Sequence, residues 1–147
     1  MLRLAEIKDI PSIVKLFAEQ RPETHLAYAE KGFSPSKCAN LTKGSIQQGY
    51  AWVYDTGIIS GMLLAEKRLN MFSDTIVEAA INVLYVTPNY RKGIAAGRML
   101  KAFLAKCEEE KIKMVWIGSS VKSSLTEESL SKYGFKLQEQ FYLKETI

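Results

Sequence analysis

The feature that most constrains this chain is a change of period across residues 78–107. "EAAINVLYV", from Glu78 to Val86, is an apolar run of strand type. "MLKAFLAKC", from Met99 to Cys107, instead has helical spacing, with Leu100, Phe103, Leu104 and Cys107 on one stripe. Between them "TPNYRKGIAAGR" sets a basic pair, Arg91 and Lys92, beside small residues at Gly93, Ala95, Ala96 and Gly97. A helix N-terminus exposes N–H groups with no intrahelical acceptor and carries partial positive charge. Small side chains let those donors reach an anion directly, a phosphate above all. The turn therefore reads as a pyrophosphate cradle. The same residues also fit a tight strand-to-helix turn that serves packing alone. Neither a Walker A loop nor a G-x-G-x-x-G dinucleotide fingerprint is present.

The flanking sequence fixes the rest of the order. "LRLAE" reads as a short strand. "DIPSIVKLFAEQ" starts a helix with Asp9 as N-cap, Pro11 in the first turn and Ile13, Leu16 and Phe17 on one face. Ser34-Pro-Ser36 opens a second helix that ends near Gly49. "YAWVY" and "GIISGMLLAEKRL" flank Asp55-Thr-Gly57, a hairpin signal. After the long helix, whose Glu108–Glu110 run opposes the macrodipole and reads as a solvated face, "KMVWIGSS" is a strand. "LTEESLSKY" is a short helix and "FKLQEQFYLKE" a last strand. The order β-α-α-β-β-β-α-β-α-β predicts one α+β domain over 1–147, with a mixed sheet rather than a doubly wound one.

Composition excludes several classes. With 147 residues, 47% hydrophobic and 24% charged, the chain is of ordinary globular type and long enough for a real core. A net charge of +4, with no segment concentrating the basic residues, speaks against nucleic-acid binding. No run approaches the roughly 20 apolar residues of a membrane span. The N-terminus lacks a signal peptide's pattern, so a cytoplasmic location is expected. Cys38 and Cys107 stand apart, and the one histidine with scattered carboxylates makes no metal site. Asn40-Leu-Thr42 matches a glycosylation sequon without the secretory context that would give it meaning.

"LYVTPNYRKGIAAGRMLKAF" resembles the acetyl-CoA-binding segment of the GNAT N-acetyltransferase superfamily: a strand ending in Val and Pro, then [Q/R]-x-x-G-x-[G/A], then a long helix. "LRLAEIKDIPSIVKLF", "DTGIISGMLLAE" and "SLSKYGFKLQEQFYLKE" resemble the family's opening strand and helix, its second and third strands, and its closing helix, Gly-Phe corner and last strand. The resemblance implies a mainly antiparallel sheet of about six strands with about four helices, splayed at strands 4 and 5. It implies acetyl-CoA as co-substrate, without a metal. Backbone groups of Leu84, Tyr85 and Val86 would meet the pantetheine arm, and N–H groups from Arg91 through Lys92, Gly93, Ile94, Ala95 and Ala96 the pyrophosphate. Ser123 stands where many members have a pantetheine-facing Asn. The chain departs from the pattern in placing Tyr90 in the usual Gln or Arg slot, with one residue fewer between Pro and Gly.

Acetyl transfer needs a deprotonated amine, donors for the oxyanion and a proton for the thiolate. The family's usual acid tyrosine is replaced by Leu130, and Tyr133, one helical turn later, is the substitute candidate; packing at the helix end is its other reading. Alternation puts Glu78, Ala80, Asn82 and Leu84 on one side of the fourth strand. Some members of the family use a glutamate on this strand, so the resemblance makes Glu78 the candidate base, against a solvated strand-end carboxylate. His25 falls in a helix–helix loop that borders the acceptor site in the family. The expected function is transfer from acetyl-CoA to a small-molecule or peptide primary amine, with no nucleic-acid or membrane partner and pairing into a homodimer open. The rival is a GNAT-fold protein that binds CoA or a protein partner without catalysis.

Overall fold

The computed structural model describes residues 1–23, 32–118, 125–142, 144 and 146. Five strands form one sheet in the order β1-β2-β3-β4-β5: Leu2–Leu4, Ala51–Asp55, Ile59–Leu69, Val77–Val86 and Met114–Ile117. The first four pair antiparallel, and β5 joins β4 in parallel after a helical crossover. Among the described residues the helices are α1 (Ile10–Gln20), α2 (Pro35–Gln48), α3 (Ala95–Glu109) and α4 (Glu127–Ser131). This is the expected α+β mixed sheet, with five strands among the described residues where about six were expected. Residues 135–142 carry the alternation of a strand yet join no ladder among the described residues, and Phe141 and Tyr142 are exposed. A strand exists only against a partner, and a four-residue edge strand offers little template for so long a segment.

Local chemistry sets most element boundaries. Ser34 Oγ caps α2 by accepting from the Lys37 N–H, Pro35 opens it, and Gly49 closes it at φ +76°. The Gly49 carbonyl then accepts from Lys106 Nζ at 2.7 Å, which places a cation of α3 at the negative end of α2. In the β2–β3 hairpin, Asp55 Oδ1 accepts from the Gly57 N–H at 2.9 Å, with Gly57 at φ +99°. Asp9 stands at the N-cap of α1 but does not cap it through its side chain. Its carboxylate instead accepts from the Glu6 N–H and from both Arg3 Nη atoms at 2.8–2.9 Å, tying a 3-10 turn (Ile7–Asp9) to β1.

The sheet divides two clusters. One face packs Tyr50, Trp52, Leu63, Ala79, Ile81 and Val86 against Met99, Leu100, Phe103 and Cys107 of α3. Phe103 lies fully buried, edge-on to Tyr50 and Trp52 at centroid distances of 5.9 and 6.1 Å. Burying such a side chain contributes about 1.5–3 kcal/mol. The other face packs Val53, Met62, Leu64 and Tyr85 against Ile13 and Leu16 of α1.

One irregularity in β4 decides what each face can offer. Leu64 pairs with Val83 and Ala65 with Ile81, so Asn82 is the extra residue of a β-bulge. The bulge inverts the alternation. Ala79 and Ile81 share the α3 face with Leu84 and Val86, while Val83 and Tyr85 turn to α1. Glu78, next to Ala79, therefore lies on the opposite face from Leu84, which corrects the uniform alternation expected from sequence.

Candidate active site

The β4–β5 ladder covers Glu78–Ile81 of β4 only, whereas β4 runs on to Val86, so the two strands part over its last residues. The phase of the backbone there follows from one bond: the Thr87 N–H donates to Ser60 O at 2.9 Å, toward β3. A Cβ built on Gly61 of β3 would stand 3.3 Å from the Tyr85 carbonyl, which fixes Tyr85 on the same side. By antiparallel alternation Tyr85 therefore gives its backbone groups to β3, and Leu84 and Val86 turn theirs to the side where β5 has departed. Of the three residues expected to meet a pantetheine arm, Leu84 and Val86 turn their backbone groups to the side that β5 has left, and Tyr85 turns its groups to β3.

A 3-10 turn, Pro88–Tyr90, follows β4. The chain then bends with Gly93 N–H donating to Tyr90 O at 3.2 Å, and α3 begins at Ala95. Its N-cap, Ile94, supplies no side-chain acceptor. Among the described residues the N–H groups of Lys92, Ile94, Ala95, Ala96 and Gly97 have no acceptor, and the first helical bond is Arg98 N–H to Ile94 O. These donors, at the positive end of a 15-residue helix, fit a diphosphate. Five of the turn's expected ligands, Lys92 through Ala96, thus lie together, although the Gly93 N–H is already occupied by Tyr90.

The small residues do unequal work. A Cβ on Gly97 would come within 2.9 Å of the Tyr133 hydroxyl, so its absence lets Tyr133 lie against the first turn of α3. A Cβ on Gly93 would meet only the Tyr90 carbonyl, at 3.4 Å. Tyr133 is held there by the turn after α4, through its N–H to Leu130 O and the next residue, Gly134, at φ +88°. It is partly buried against the α3-side cluster.

Glu78 is not brought to this place. It sits on the other face at the far end of β4, about 26 Å from Val86 along the strand at 3.3 Å per residue. It is buried, and it accepts from Asn70 Nδ2 at 3.2 Å beside Arg68 Nε at 3.7 Å. Those contacts make it an anchor of the β3–β4 hairpin rather than a solvated carboxylate. His25 and Ser123 lie outside the described residues.

The orientation of Arg91 is set by contacts near and distant in the chain. Its Nε donates to the Val86 carbonyl at 2.8 Å, and its two Nη atoms meet the two Glu23 carboxylate oxygens at 2.5 and 2.6 Å. The guanidinium lies over the Tyr85 ring, 5.2 Å from its centroid. Glu23 ends the 3-10 turn that follows α1. The Arg91 guanidinium holds the Glu23 carboxyl below its ordinary range, and burial, with Glu19 and Glu23 nearby, pushes the Tyr85 hydroxyl up to about 12. On β5, Trp116 pairs with Ala80, and its buried indole N–H has no acceptor among the described residues.

No protein-family sequence model and no curated relative matches this chain. Solved structures do. A predicted acetyltransferase from Clostridium acetobutylicum, solved with acetyl-CoA, superposes at a TM-score of 0.72 over 99% of this chain and 95% of its own, with 16% identity. Glucosamine-6-phosphate N-acetyltransferase from Arabidopsis thaliana gives 0.72 over 100% and 98%, with 13% identity. A transcriptional regulator from Bacillus halodurans C-125 gives 0.76 over 99% and 98%, with 13% identity. The fold is that of the GNAT acetyltransferases. No helix among the described residues is long and apolar enough to cross a membrane.

Proposed function

We propose that this chain is an acetyl-CoA-dependent N-acetyltransferase whose acceptor is a primary amine, on a small molecule or a peptide. The observation that carries the reading is the run of acceptor-less N–H groups at the start of α3, directly after a strand whose Leu84 and Val86 backbone groups face away from β3. Pyrophosphate on the turn would lay the pantetheine arm along that strand edge. The amine nitrogen attacks the thioester carbon and loses a proton, the C–S bond breaks, and the thiolate takes up a proton. The Val86 N–H is the donor placed for the developing oxyanion, and Tyr133, beside Gly97, is the proton donor for the thiolate. Much of the acceleration would come from holding two substrates in one geometry. Glu78 is left out of the chemistry by its distance, so the amine reaches the site neutral or gives its proton to solvent.

Isothermal titration with acetyl-CoA tests the cradle, and thiol release with a panel of amines tests the transfer. Saturable binding with amine-dependent release is expected. A second reading, a GNAT-fold binder without turnover, is favoured by Leu130 in the family's acid slot and by the regulator among the structural neighbours. Binding without thiol release from any amine would select it.

A further inference from the structure

The Val86–Thr87 peptide is held at both ends. Its N–H donates to Ser60 O at 2.9 Å, and its carbonyl accepts from Arg91 Nε at 2.8 Å. Arg91 in turn is gripped by both oxygens of Glu23 and lies over the buried Tyr85 ring. A guanidinium has five N–H donors in a rigid fork, and here each of its three nitrogens already has a partner. Its charge is neutralised on the α1 side of the sheet. An arginine in a phosphate turn would ordinarily face the phosphates; this one faces the strand.

We infer that Glu23 and Arg91 are a positioning pair for acyl transfer: Glu23 holds the Arg91 guanidinium on Tyr85, and from there Arg91 locks the last peptide of β4 so that the Val86 N–H keeps its aim. The inference rests on the acetyltransferase reading and extends it to two side chains that touch neither phosphate nor thioester. It also divides the labour at the turn. Diphosphate affinity belongs to the peptide N–H groups of the turn, and the alignment of the thioester to Arg91. Because Glu23 closes the turn after α1 and Arg91 the turn after β4, the pair ties the end of α1 to the end of that strand.

The test compares wild type with Glu23→Gln, Arg91→Lys and the conservative Glu23→Asp, measuring acetyl-CoA affinity by titration and kcat by thiol release. The expected result is a fall in kcat of about tenfold or more for the first two, from a loosened oxyanion donor, with recovery in Glu23→Asp. Acetyl-CoA Kd should move less than about threefold, since peptide N–H groups carry the phosphates. The Val86 amide resonance reports the same event in Arg91→Lys: its shift on adding acetyl-CoA should shrink relative to wild type. If Glu23→Gln does not fold, Arg91→Lys and the resonance still decide. Unchanged kcat in the variants of an active wild type would overturn the positioning pair alone. Equal losses in Kd and kcat would make Arg91 a phosphate ligand and overturn it as well. A wild type that neither binds acetyl-CoA nor releases thiol would overturn the acetyltransferase reading and the pair with it.

Discussion

The strand β4 and the helix α3 lie together, and their two ends are built on opposite plans. At the end of α3, Glu110 accepts from the buried Tyr50 hydroxyl at 2.8 Å and from Lys67 Nζ at 3.1 Å, while Glu78, at the start of β4, is shared by Asn70 and Arg68. At the other end, where β4 finishes and α3 begins, peptide donors stand without acceptors among the described residues and no side chain caps the helix. One end is closed by its own side chains, which serves stability. The other, on the proposed acetyltransferase reading, would receive a ligand, serving function at a cost in stability. Glu110 shows that a carboxylate at a helix C-terminus need not be a solvated residue opposing the dipole; here a hydroxyl and an ammonium group compensate it.

That contrast can be broken at either end. The largest expected effect is at the open end, where Ile94→Asp would supply the missing cap. Ile94 is exposed, so its removal costs little, and an N-cap acid should stabilise the helix by about 1 kcal/mol. The same carboxylate would occupy the phosphate donors and repel the phosphates, and acetyl-CoA affinity should fall at least about tenfold. A thermal melt and a titration read the two opposite signs; a stabilised protein with unchanged affinity would refute the cradle.

At the closed end, Glu110→Ala leaves the Tyr50 hydroxyl short of its acceptor and should cost about 1–2 kcal/mol, with no change in acetyl-CoA affinity. Denaturant unfolding measures the first and titration the second. A comparable loss of affinity would mean that the two ends are not independent.

A smaller effect is expected from pH. Arg91 lowers the Glu23 carboxyl from its ordinary 4.5, so this pair contributes stability that is present above that value and lost as pH falls through the lowered one. Glu23 is more than a third exposed, and screening should keep the contribution under about 1 kcal/mol. Below pH 4.5 the wild type should therefore lose its advantage over Glu23→Gln, and parallel stability curves for the two proteins would deny the ion pair any weight in folding. The smallest effect belongs to Gly93→Ala, whose methyl group meets only the Tyr90 carbonyl at 3.4 Å and should change stability by less than about 0.5 kcal/mol. A larger loss would show that the turn is tighter than its geometry indicates.

What the chain's order of residues determined was local. Ser34, Pro35 and Gly49 bound α2, Asp55 and Gly57 make the hairpin, and the passage from an apolar strand to a helix through small residues sets the donor-rich turn. Each of these acts over a few residues of backbone, where spacing and conformational preference suffice. Tertiary structure decided the rest. The bulge at Asn82 left no trace in "EAAINVLYV", because a run apolar on nearly every residue has no alternation to show a slip. Yet that slip sends Glu78 and Leu84 to opposite faces. The expected last strand joins no ladder among the described residues, because alternation describes a strand's faces and says nothing of its partner. Glu23 and Arg91 are 68 residues apart, and only the packing of α1 against the sheet brings a carboxylate to the guanidinium. Local pattern built the donors; long-range packing chose which charges would face them.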